Sequence, residues 1–85
     1  MAIADEKTRY ERAVQRLESL VLLRWPEARF RVTDMPEGEG VAVWTYSDGD
    51  FWDVSEHTSD AEFESMDSEG VFVYVIPMPA EAWEE

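Results

Sequence analysis

Between Tyr10 and Trp25 the apolar positions Tyr10, Ala13, Val14, Leu17, Leu20, Val21 and Trp25 recur at intervals of three and four. At ~100° per residue they fill an arc of roughly 140°, which predicts an amphipathic helix near the N-terminus. Thr8 with Glu11 has the form of a capping box, and Asp5 is an earlier candidate for the cap. Pro26 disfavours helical geometry at Trp25 and places the end of the helix there. On the same wheel Arg9, Arg12 and Arg16 form a stripe along one border of the apolar arc.

Beyond Pro26 the period changes to two. Residues 29–35 alternate Phe30 and Val32 with Arg29, Arg31 and Thr33, and MPEGEG after them supplies a turn. The runs VAVWTYS (41–47) and FWDVSEH (51–57) flank Asp48-Gly49-Asp50, and Asp-Gly between two β-rich runs is a hairpin signal. The run VFVYVIP (71–77) is apolar on both faces, as an interior strand is, and Pro77 and Pro79 stop it. Residues 59–66 admit two readings. Ser59 with Glu62 caps a short helix carrying Phe63 and Met66, or AEFESM pairs with VFVYVI through the loop DSEG. Turn signals at roughly ten-residue intervals favour the strand. The expected fold is therefore α+β: one N-terminal amphipathic helix packed on an antiparallel meander sheet of four to five strands, in one domain of residues 1–79, followed by an acidic tail of residues 80–85 that carries Trp83.

The segment WPEARFRV after a helix, together with EGVFVYVIPMP near the end, resembles small uncharacterised bacterial α+β proteins with a helix, a "PEARF" strand and a closing "YVIP" strand. The likeness covers residues about 10–35 and 69–79. It implies a helix ahead of the last strand and transfers no activity.

Charge adds what periodicity does not show. All seven basic residues lie in the first 31, beside five acids, whereas the remaining 54 residues carry 15 Asp and Glu and no Lys or Arg; the chain's net charge is −13. Such a surface repels nucleic acid and anionic membranes and attracts basic proteins. The absence of cysteine removes disulfides and thiolate chemistry, and no apolar run approaches the ~18 residues of a membrane span, so a cytoplasmic protein is expected. With 45% hydrophobic residues there is material for a core.

Candidate chemistry is sparse. Asp48, Asp50 and Asp53 around Gly49 are oxygen ligands of the kind hard cations prefer, but Asp and Gly are also what a tight turn requires, and the spacing is not that of an EF-hand loop. We expect no metal and no cofactor. His57, the only histidine, has no nucleophile at a motif spacing and reads as a titrating surface group. Asp60, Glu62 and Glu64 on a strand would stand ~6.6–6.8 Å apart, close to the phosphate spacing along one DNA strand. Trp44, Tyr46, Trp52, Phe72 and Tyr74 alternate along three expected strands, where one helix covers them as core or leaves them as an apolar patch; core is favoured.

The function expected from these features is that of a non-enzymatic acidic protein that binds and inhibits or neutralises a basic, nucleic-acid-handling partner, of the DNA-mimic, anti-defence, antitoxin or immunity type. Its contacts would be Asp48, Asp50, Asp53, Glu56, Asp60, Glu62 and Glu64, with Trp44 or Trp52 as apolar anchors and no direct contact with nucleic acid or membrane. The alternative is a homodimeric structural or accessory subunit assembling through an aromatic sheet face, its acidity reflecting solubility or salt adaptation.

Overall fold

The computed structural model describes residues 6–35 and 40–84. Along the chain come α1 (Glu6–Arg24), β1 (Arg29–Asp34), β2 (Val41–Ser47), α2 (Phe51–Glu69), β3 (Val73–Pro79) and a single 3-10 turn, Ala80–Ala82. The three strands lie in the order β1-β2-β3. β1 is antiparallel to β2, from Arg29 opposite Tyr46 to Asp34 opposite Val41. β3 is parallel to β2, from Val73 opposite Val41 to Pro79 opposite Ser47.

This corrects the expected meander of four to five strands. Residues 51–57, read as a strand, and 59–66, read as a short helix or a strand with the strand favoured, belong to one nineteen-residue helix. The Asp-Gly signal marks the start of that helix and not a hairpin: the Asp50 side chain accepts the Asp53 N–H at 3.0 Å, as an N-cap does. Gly49 is required for a different reason. A Cβ there would stand 2.5 Å from Cε2 of Trp25, so the indole packs against bare backbone. The helix ends at Gly70, whose φ of 67° suits glycine and whose N–H reaches back to the Met66 and Ser65 carbonyls. Parallel pairing of β2 and β3 needs a long crossover, and α2 is that crossover. A helix ahead of the last strand is also what the "YVIP" resemblance implied.

α1 begins two residues before Thr8, so Thr8 lies inside the helix and does not cap it. Asp5 and the turn residues 36–39 lie outside the described residues. Arg24 is the last helical residue, and the Trp25 N–H still reaches the Val21 carbonyl at 2.8 Å before Pro26 ends the run.

The core joins Ala13 and Leu17 of α1, Val43 of β2, Ala61 of α2 and Val71 and Val73 around β3, with Tyr10, Val14, Leu20, Phe30 and Val75 half-buried against them. Residues of both helices share this cluster with Val43, Val73 and Val75, which project from one face of the sheet, so both helices lie on that face. Strand alternation then turns Trp44, Tyr46, Tyr74, Ile76 and Met78 to the other face. The expectation that Trp44, Tyr46, Trp52, Phe72 and Tyr74 form the core beneath a helix is therefore corrected. Three of them lie on the face away from the helices, Phe72 precedes β3, and Trp52 projects from α2, 76% exposed. The C-terminal turn covers part of that second face. Trp83 meets Tyr46 edge-on at 5.2 Å, the Arg29 and Arg31 guanidinium groups lie over its ring at 5.6 and 4.8 Å, and Arg31 donates to the Glu84 carbonyl at 2.7 Å.

The helices run antiparallel and are tied together at both ends. Arg9 donates to the Glu69 carbonyl at 3.2 Å and Arg16 pairs with the Glu69 carboxylate at 2.6 Å, placing cations from α1 at the C-terminus of α2. α2 has no basic residue in its own last turn. At the other end His57 of α2 stands 2.9 Å from the Leu20 carbonyl.

Candidate functional site

The fold lays α2 across the sheet with its smallest side chains inward. Val54, Thr58, Ala61 and Ser65, spaced four, three and four apart, are buried. At ~100° per residue Asp53, Glu56, Asp60, Glu64 and Asp67 then occupy an arc of about 80° on the opposite side. All five are exposed. The row runs about 21 Å along the helix, one carboxylate every turn. Along one border stand Trp52 and Phe63, 76% and 69% exposed, with Met66 beside them. Phe51 adds an edge-on contact to Trp52 at 5.2 Å. The outer face of α2 thus joins a row of negative charge to a broken apolar stripe.

Of the residues singled out from the sequence, Asp53, Glu56, Asp60, Glu64 and Trp52 are brought together on this face. The others are not. Asp48 is exposed in the loop before α2, and Asp50 is engaged as its cap. Trp44 lies on the far side of the sheet and donates its indole N–H to Thr33 Oγ1 at 2.8 Å. Glu62 points towards β3, where it accepts the Thr58 hydroxyl at 3.1 Å and the Val75 N–H. Burial pushes the Glu62 carboxyl above the usual carboxylate range, and those two hydrogen bonds offset part of the rise. Because these residues are helical, Asp60, Glu62 and Glu64 do not form the phosphate-spaced strand row that their alternation suggested. Phe63, Met66 and Asp67 share this face and were not singled out from the sequence. The signal for them was the spacing of acids at 53, 56, 60, 64 and 67, which is a helical period.

His57 is not a free surface group. A carbonyl can only accept, so Nε2 carries the proton and donates it to Leu20, while the ring meets Trp25 edge-on at 5.5 Å. Among the described residues no three His, Cys, Asp or Glu side chains gather as a metal-binding group, and no helix is long and apolar enough to cross a membrane. No protein-family model matches the chain, and comparison with curated proteins and with solved structures finds no match, so the "PEARF … YVIP" likeness gains no support from them.

Proposed function

We propose that this is a non-enzymatic, acidic interaction protein that docks the outer face of α2 onto a basic protein partner and so inhibits or neutralises it. The observation that carries the reading is the row of five exposed carboxylates on α2 beside Trp52 and Phe63. A helix that combines charge with apolar anchors suits a groove with an apolar floor and a cationic rim. Proteins that handle nucleic acid have such rims, because they must neutralise phosphates. The net charge of −13 adds long-range attraction to the same partner and predicts salt-sensitive association.

The test is partner capture from the native host at low salt, followed by titration of the recovered partner with ¹⁵N-labelled protein. Shifts centred on α2 are expected, with affinity falling about ten-fold or more when Asp53, Glu56, Asp60 and Glu64 become Asn or Gln, and again for Phe63→Ala. Binding that is indifferent to salt and to those substitutions would sink the proposal. The second reading is a homodimer through the sheet face bearing Trp44, Tyr74 and Ile76, which Trp83 leaves partly open. Sedimentation showing a monomer at all concentrations would remove it.

A further inference from the structure

The two edges of the sheet are finished differently. The Val41 N–H donates to the Phe72 carbonyl at 2.9 Å, so the main chain of Phe72 and of every second residue after it faces β2. Val73, Val75, Pro77 and Pro79 consequently face outward. Pro77 and Pro79 have no N–H to offer, and the N–H of Val75 is taken by Glu62. That edge is closed against further pairing.

At the opposite edge the Met35 N–H donates to the Gly40 carbonyl at 3.1 Å, which fixes the alternation of β1. Arg31 and Thr33 turn their main chains toward β2, and Phe30, Val32 and Asp34 turn theirs outward. Among the described residues β1 has no strand on its outer side, and its six residues include neither proline nor lysine. The side chains of the outward residues lie on the helix side of the sheet, where α1 stands away from β1. A cleft of about 1090 Å³ opens there, with Tyr10 and Val14 on its α1 wall and Val32, 47% exposed, on its strand wall. Three carboxylates, Glu11, Glu18 and Asp34, line it against one ammonium group, that of Lys7.

We propose that the outer edge of β1 receives an extended strand of a basic partner protein. Its main chain pairs with Phe30, Val32 and Asp34, its alternate Lys or Arg side chains enter the cleft with their stems over Val14 and their charges on Glu11 and Glu18, and the apolar residues between them lie on the other face of the sheet. Unpaired main-chain groups supply the affinity and the cleft supplies the side-chain selection, as in strand addition generally. The excess of carboxylates selects a cationic guest. It also disfavours a second copy of this chain, since two molecules of charge −13 repel. Burial already pushes the Glu18 carboxyl up, and a cation brought beside it relieves that cost. The site is distinct from the outer face of α2 and does not depend on it.

The test is titration of ¹⁵N-labelled protein with a ten-residue peptide of alternating valine and lysine, using the valine and glutamate counterpart as control. Saturable shifts and slowed exchange are expected at the amides of Phe30, Val32 and Asp34. Val32→Pro, a substitution of the kind β3 already carries at outward positions, should weaken binding about ten-fold or more. If that variant fails to fold, Val32→Lys blocks the edge by charge and should do the same. Replacing Glu11 and Glu18 together by Gln should weaken binding about three-fold at low salt. Absence of shifts at millimolar peptide, shifts confined to α2, or equal binding of the glutamate peptide would overturn the proposal. So would a dimer in sedimentation that Val32→Pro abolishes, because the edge would then take a second copy.

Discussion

The two helices have the same length and share one face of the sheet, yet they are built inside out with respect to each other. α1 buries Leu17 and Val21 with Ala13, and the bulk of its contribution to the core is aliphatic. α2 buries Val54, Thr58, Ala61 and Ser65, and sends Phe51, Trp52 and Phe63 to the surface. Thr58 satisfies its buried hydroxyl on the Val54 carbonyl at 3.0 Å, the local back-bond that lets a polar residue sit inside a helix packed on a sheet. Small inward side chains let α2 lie close to β3. Its large side chains are then left over for contacts the fold does not need, so that on α2 apolar size does not report burial.

The sharpest way to break the comparison is to truncate one large residue from each helix. Leu17→Ala removes a fully buried side chain from α1 and should cost about 2–5 kcal/mol, read from urea or thermal unfolding. Gly49→Ala attacks the junction where α2 begins: its Cβ would collide with the Trp25 ring, and a loss of about 1–3 kcal/mol is expected, with a change in tryptophan fluorescence as the indole shifts. Asp50→Ala removes the α2 cap and should cost about 1 kcal/mol.

Glu62→Gln should act through pH. Burial raises the folded pKa of Glu62 above its unfolded value, so the stability linked to its proton is fully present below the ordinary value of 4.5 and is lost as pH rises through the raised one. The glutamine variant, neutral throughout, should therefore gain melting temperature relative to the wild type between acid and neutral pH. A constant difference across that window would refute this account. Phe63→Ala on α2 should change stability least, within about 0.5 kcal/mol, because its ring is 69% exposed. If it matches Leu17→Ala, the inside-out description of α2 is wrong.

The same contrast explains what the sequence made legible. A helix over residues 10–24 and strands at 29–34 and 41–47 follow from spacing, because their large apolar residues point at the core or alternate across a sheet; the last strand, expected at 71–77 as an interior strand stopped by Pro77 and Pro79, is instead an edge strand that runs from Val73 through both prolines, whose missing N–H groups face outward. α2 hid because its strongest apolar residues, Phe51, Trp52 and Phe63, point outward and its inward residues are small or polar, so apolarity did not report burial. The Asp48-Gly49-Asp50 run compounded this, since hairpin turns and helix caps draw on the same residues. The second face of the sheet was hidden for another reason: a pattern says that side chains alternate, and not which face two helices will choose. The acids of the candidate site were nearly all singled out, but reading them on strands scattered a row that the helix gathers.

The parallel pairing of β2 with β3 has a consequence for the route to the native state. β1 and β2 are neighbours in sequence as well as in space, with few residues between them, so they can zip early at little entropic cost. β3 reaches its place beside β2 only after a chain segment containing the whole of α2 has been brought back, which is the slow, non-local event in the topology. Until it arrives β2 has one bare flank. The transition state is therefore expected to hold the first two strands and α1, with Val73 and Val75 registering late, an order that the effects of substitutions on folding rates would reveal residue by residue.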